Sequence, residues 1–113
     1  GSQYGVVAAN PALYADEADS PIHYSVAKSA LIHLTRELAV RLASKNVQVN
    51  CVSYGGVEGR VDDSFVQRYA NLTPQRRMLS DSDLAVHVDY LLSADNLAVT
   101  GHNLIVDGGW TLC

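Results

Sequence analysis

A chain of 113 residues has room for one domain or part of one, and 48% hydrophobic with 18% charged residues is ordinary globular composition, neither disordered nor fibrous. The net charge of −4, with Arg76-Arg77 as the only adjacent basic pair, gives no basic footprint and argues against a nucleic-acid partner. No stretch approaches the roughly 20 consecutive apolar residues that cross a bilayer, and Gly1-Ser2-Gln3-Tyr4-Gly5 has neither the basic nor the apolar region of a signal peptide.

Residues 1 to 21 are rich in Gly, Ala, Pro, Asn and Asp without sustained period and are expected to form a loop, broken by Pro11 and closed by Ser20-Pro21. Ser20 is the expected cap of a helix with Pro21 in its first turn. From there to about residue 45 the chain has no Gly or Pro, and Leu31, Leu34, Leu38 and Leu42 recur at helical spacing. That predicts a helix of about six turns, ~35 Å long. Residues 47 to 53 alternate and are β-branched, as a strand requires, and Gly55-Gly56 and Gly59 then mark a loop. A short amphipathic helix is expected over 62–71 through Phe65, Val66 and Tyr69, broken by Pro74. Ser80-Asp81-Ser82-Asp83 supplies caps for another helix running to about Ser93. After a turn at Thr100-Gly101, residues 102 to 107 form a second strand, ended by Asp107-Gly108-Gly109.

Strands separated by helices predict parallel pairing through crossovers. Two strands cannot close a doubly wound sheet, so the expected fold is α/β but incomplete. Cys51 and Cys113 make no disulfide framework, and two free thiols fit a reducing compartment, with the cytoplasm as the default.

The most informative spacing is Tyr24-Ser-Val-Ala-Lys28. On a helix, residues i and i+4 share a face, and here that arc is shared with Leu31, Leu38 and Leu42. A lysine there sits at the edge of a face expected to be buried, where an unpaired ammonium is costly. A positive charge beside a tyrosine favours its phenolate, which suits proton exchange with a carbonyl or an alcohol. By itself the pair is also a common chance arrangement on a helix.

The context is more specific. Tyr24-x-x-x-Lys28 is followed by Ser29-Ala30, Leu38-Ala39, Val47-x-Val49-Asn50-x-Val52-Ser53, a Gly-containing loop, and Thr100-Gly101-x-x-x-x-Val106-Asp107-Gly108-Gly109. This succession resembles the short-chain dehydrogenase/reductase family from its catalytic serine to its C-terminus and spans essentially the whole chain. The resemblance implies that residues 1–113 are the C-terminal half of a single Rossmann-like, doubly wound domain with the nucleotide-binding half absent. It also implies an NAD- or NADP-dependent oxidoreductase that interconverts an alcohol and a carbonyl of a small-molecule substrate, a homo-oligomer (dimer or tetramer) at full length. By the same resemblance Ser2 bonds the substrate oxygen and Tyr24 is the acid/base. Lys28 tunes Tyr24 and holds the nicotinamide ribose, and Gly55 and Val57 stand in the loop that meets the nicotinamide, Val57 offering its N–H to the carboxamide. Gln3-Tyr4-Gly5 with the run from Val52 to Arg60 most resembles members found with flagellin glycosylation and sugar-nucleotide genes, which implies a sugar-like substrate.

The chain departs from the family's pattern in places. The loop between Ser2 and Tyr24 is longer than usual, with Pro11 and the acidic stretch Asp16 to Asp19 in the extra length. Tyr54 stands where the family has proline, which predicts a looser loop, and Gly59 cannot supply the family's threonine hydroxyl. The Gly-rich phosphate loop, the residue that selects NAD or NADP, and the catalytic asparagine have no counterpart in these residues.

Other residues read more blandly. His23, His33, His87 and His102 match no metal-ligand spacing; His33 is expected to be solvated, while His23 abuts Tyr24 and is a candidate substrate contact. Tyr4 and Tyr14 are read as loop packing ahead of substrate contact. Arg60, Arg68, Arg76 and Arg77 are either a basic cover suited to an anionic substrate or an exposed polar face. Trp110 is expected in a core or an interface, and Asp107 in a turn. The competing functional reading is a non-catalytic fragment or a binding and oligomerisation subunit that pairs through the long helix.

Overall fold

The computed structural model of the chain describes residues 1–14 and 20–113; the acidic stretch of the lengthened loop, Asp16 to Asp19, lies outside the described residues. Five elements follow in order: α1 (Ile22–Leu42), β1 (Cys51–Tyr54), α2 (Asp63–Leu72), α3 (Ala85–Leu92) and β2 (Asn103–Val106), with short 3-10 turns between and around them.

The two strands pair in parallel, from Cys51 opposite Asn103 to Tyr54 opposite Val106. Both are shorter than their patterns predict. Residues 49 and 50 leave the ladder because Asn50 replaces it with its side chain: its Nδ2 donates to the Val99 carbonyl (2.8 Å) and its Oδ1 accepts from the His102 N–H (3.0 Å). A side-chain amide offers the same donor and acceptor as a peptide, so residues on either side of the Thr100-Gly101 turn are held without a strand. Tyr54 also forms a parallel bridge with Ser2. Since it pairs with Val106 through one edge, the Ser2 segment lies along the other, and β1 is flanked on both sides.

Helix α1 begins one residue later than its capping pattern suggests. Pro21 itself occupies the cap position, in extended conformation, and Ser20 falls outside the first turn with no side-chain cap bond. The helix runs into a 3-10 turn (Ala43–Lys45) and ends at Asn46, whose φ of 57° is the left-handed conformation that asparagine tolerates. Its packed face differs from the leucine arc. Ile32, Thr35 and Ala39 are buried, whereas Leu31 and Leu34 are exposed, as are Ile22 (83%), Val26 and Val40 (80%). The buried stripe is narrow and made mostly of small side chains, and the small ones let backbone approach closely: a Cβ on Gly101 would lie 3.4 Å from that of Ala39. Leu38 and Leu42 are half-buried.

The described core is formed instead by Leu13, Tyr69, Met78 and Trp110, a buried cluster edged by Val7, Tyr14, Phe65, Val66 and Leu72. Tyr69 and Trp110 are stacked, with centroids 4.4 Å apart and planes at 16°. Asp62 caps α2 by accepting from the Phe65 N–H (2.8 Å), and Thr73-Pro74 stops it. Trp110 reaches the cluster through the Gly108-Gly109 turn. Both glycines have positive φ, and a Cβ on Gly109 would lie 2.9 Å from the Pro74 ring. Asp107 acts as the turn residue expected of it, accepting from Gly109 N–H and Thr111 N–H, both at 2.8 Å.

Before α3 comes a 3-10 turn (Asp81–Asp83) held by charge. Arg77 clasps both carboxylate oxygens of Asp83 (2.6 and 3.0 Å), and Ser80 donates its N–H to the same group at 2.8 Å. Arg77 first, then the Ser80 donors, hold the Asp83 carboxyl well below the usual carboxylate range. A carboxyl lowered in the folded state adds stability above the unfolded value of about 4 and loses it as pH falls through the folded value. Asp83→Asn should therefore lower Tm at pH 7, with the gap to the native protein narrowing below about pH 4; Tm measured against pH checks this. No helix among the described residues is long and apolar enough to cross a membrane.

Candidate active site

Beyond the C-terminal end of β1 opens a cleft of about 560 Å³, where ligands collect in open α/β sheets. It is lined by Ser2, Gln3 and Tyr4, by Tyr14, Ser20 and Pro21, by Tyr24, and by Gly55, Gly56 and Val57. Of the residues expected in the site, four meet here: Ser2, Tyr24, Gly55 and Val57. Lys28 stands one turn along α1, its Nζ 5.3 Å from the Tyr24 ring centroid, within cation–π range.

Ser2 is buried and extended, and caps the 3-10 turn Gln3–Gly5 by accepting from the Tyr4 N–H at 3.2 Å. That bond uses a lone pair of the hydroxyl and leaves its proton to donate elsewhere. The turn is pressed against α1. Ser29 Oγ donates to the Gly5 carbonyl (2.8 Å), and a Cβ on Gly5 would lie 2.8 Å from both C and O of Lys28. Only glycine permits this approach, which fixes the Ser2 segment relative to the Tyr24 helix.

The loop after β1 is tight rather than loose. Tyr54 carries no proline-like restraint, but its hydroxyl donates to the Leu84 carbonyl and its ring meets His87 edge-on, tying the strand's end to α3. Gly55 N–H donates to Val106 (2.8 Å), Gly56 C=O accepts from Leu79 N–H (2.8 Å), and Glu58 N–H donates to the Leu79 carbonyl (2.9 Å). Among the described residues nothing accepts from the Val57 N–H, so it is the donor this loop leaves for the cleft. Gly59, at φ 101°, has open space around it.

Tyr4 and Tyr14 pack together as expected of the loop, their hydroxyls bonded at 2.9 Å, and both line the cleft. Burial, then the Tyr14 hydroxyl, pushes the Tyr4 phenol up, so it stays neutral. Tyr14 also packs edge-on against Phe65. His23 is exposed and outside the lining, and His33 is exposed beside Glu37. Three of the four candidate lid arginines are engaged internally: Arg68 with the Leu13 carbonyl, Arg76 with the Asn71 carbonyl, and Arg77 with Asp83. No charged side chain lines the cleft among the described residues. Nor does any cluster of His, Cys, Asp or Glu among them suit a metal ion.

Two residues of the cleft's frame carry no signal in the sequence. Tyr69 reads there only as an apolar helix position, yet its hydroxyl accepts from Gly56 N–H and donates to Gln3 Oε1, both at 2.7 Å. Gln3 reads only as part of a family-like string, yet it is buried.

A family model described as enoyl-(acyl carrier protein) reductase matches residues 12–111, and the chain belongs to the short-chain dehydrogenase/reductase family. It is 34% identical over 93 residues to post-translational flagellin modification protein A of Campylobacter coli, covering 82% of this chain and 36% of that protein. It is 35% identical over 107 residues to the mitochondrial borneol dehydrogenase of Lavandula x intermedia, covering 92% and 40%. Among solved structures, a short-chain dehydrogenase from Leptospira borgpetersenii with bound NAD+ superposes with a TM-score of 0.91 at 40% identity, covering 98% of this chain and 42% of that one. A short-chain type dehydrogenase/reductase from Mycobacterium marinum gives 0.84 at 28% identity, covering 100% and 43%. The chain thus spans well under half the length of the relatives it matches.

Gly5→Ala should separate the Ser2 turn from α1 and cost about 1–3 kcal/mol of stability, as forced overpacking does. Denaturant unfolding of the full-length protein checks it.

Proposed function

We propose that the protein carrying this chain is an NAD(P)-dependent oxidoreductase interconverting an alcohol and a carbonyl, with residues 1–113 as the proton-handling, C-terminal half of one domain. The observation that carries the reading is the meeting of Ser2 and Tyr24 in one cleft, with the Lys28 ammonium against the Tyr24 ring. The wall opposite suits a nicotinamide. It offers an unclaimed Val57 N–H beside two glycines whose backbone lies too close to Asp107, Tyr69 and Met78 to carry side chains. When bound, that cofactor supplies or accepts the hydride.

The chain's own residues handle the rest. The Ser2 hydroxyl donates to the substrate oxygen and fixes its position. Tyr24 gives that oxygen a proton when a carbonyl is reduced and takes one back when an alcohol is oxidised. Lys28 sets a positive charge beside the tyrosine and, by family likeness, holds the ribose hydroxyls; Val57 orients the carboxamide.

The substrate reading is a neutral, hydroxylated ring of the sugar type. Supporting it are the uncharged cleft, the Tyr4, Tyr14 and Gln3 polar groups in its wall, and the likeness to a flagellin modification protein. The free thiols of Cys51 and Cys113 suit a reducing, cytoplasmic setting. A second reading, an assembly subunit without catalysis, draws on the apolar face that α1 leaves uncovered among the described residues. Homo-oligomerisation through that helix is compatible with either.

The test is Tyr24→Phe in the full-length protein. Turnover should fall about 10³-fold, within the range of a lost general acid/base, while NAD(P)H still binds in a fluorescence titration. Retained turnover would overturn the assignment, and a native protein that assembles but never turns over NAD(P)H would favour the second reading.

A further inference from the structure

The cleft has two walls on different elements, and one buried side chain touches both. Tyr69 comes from α2, is 1% exposed, and lies flat on Trp110. Its oxygen accepts from Gly56 N–H (2.7 Å) on the wall proposed for the nicotinamide and donates to Gln3 Oε1 (2.7 Å), next to Ser2 on the substrate wall. The contact is intimate: a Cβ on Gly55 would lie 2.8 Å from the Tyr69 oxygen, and one on Gly56 2.7 Å from its ring. β1 pairs with the Ser2 segment at Tyr54, and among the described residues no backbone bond joins the 55–57 loop to residues 3–5 beyond it.

We propose that Tyr69 is a positioning residue of this cleft: its hydroxyl, bonded to Gly56 and Gln3 at once, sets the distance between the 55–57 loop and the Ser2 turn. The inference rests on the oxidoreductase reading for its consequence in turnover, and on geometry alone for the coupling itself. A phenol has one proton to give and lone pairs to accept with, so one atom satisfies both walls and fixes the direction of each bond. Burial pushes the Tyr69 phenol up, which keeps that proton in place at neutral pH. The Trp110 stack and the Thr73 hydroxyl, bonded to the Tyr69 carbonyl at 2.8 Å, hold the ring and its backbone in place. Position matters here because a small misplacement of reacting groups lowers rate steeply.

The experiment is Tyr69→Phe in the full-length protein, which keeps the stacked ring and removes only the oxygen, read with amide hydrogen exchange and steady-state kinetics. Expected are about tenfold faster exchange at Gly56 and about a tenfold loss of kcat/KM carried by kcat. Gln3→Met should cost much less in the Tyr69→Phe background than in the native one, since the shared bond is already gone. A lowered Tm with unchanged Gly56 exchange and unchanged kcat would mean that Tyr69 is core filling, and would overturn the inference. Additive effects of the two substitutions would overturn it as well. If the native protein turns over no NAD(P)H-linked substrate, the oxidoreductase reading fails alone; faster Gly56 exchange with non-additive coupling of exchange rates to Gln3→Met would still support the positioning role.

Discussion

The structure depends on β1 having a neighbour along each edge. Tyr54 pairs with Val106 on one side and Ser2 on the other, and the residues behind it, Ser53 and Cys51, are buried. A parallel ladder fixes its partners' axial positions to within one residue, because a slip would turn every side chain to the opposite face. Register therefore delivers three segments, distant in sequence, to one level: the serine turn, the glycine loop and the Asp107 turn. The cleft is the space above that level. The Gly5 contact then sets α1 against the first of these segments, and the Tyr54 hydroxyl sets α3 against the second.

The apolar residues are distributed unevenly around this frame. The excursion from Asp62 to Leu79 encloses a dense aromatic cluster, while the longest helix presents most of its aliphatic side chains outward. A fully buried aliphatic side chain contributes about 1.5–3 kcal/mol relative to exposure, so the outward face of α1 is a substantial store of unrealised burial. The excursion, by contrast, stands on its own contacts, with Arg68 bonded to the Leu13 carbonyl across the cluster.

Much of this was legible in the sequence. Element order and type follow from the leucine spacing of α1, the β-branched runs, the amphipathic pattern of 62–71 and the caps in Ser80-Asp81-Ser82-Asp83. The α/β class and the parallel pairing follow from the crossover arrangement, and the Tyr24–Lys28 pairing on one helix face follows from its i, i+4 spacing. What was not legible depends on side chains acting in place of backbone, or on which surface faces what. Asn50 shortens both strands by imitating a peptide, which no period records. Pro21 takes the cap itself and displaces Ser20. The leucine arc of α1 predicts the helix but not its packed face, since Ile32 and Ala39 are selected by the closeness of Gly5 and Gly101. Tyr54 appears as the loss of a stiff proline, whereas its hydroxyl restores the restraint from a distance of thirty residues in sequence.

The stacked pair beneath the cleft has an optical consequence. Trp110 is the chain's one tryptophan, it is buried, and its indole lies face to face with the phenol that bonds Gly56 and Gln3. An indole's emission shifts with the polarity and stiffness of its surroundings, so the tryptophan fluorescence of this segment originates against the side chain that bonds two residues of the cleft wall. The fold thus contains an intrinsic light-emitting gauge of cleft geometry, placed by the same Gly108-Gly109 turn that closes its core.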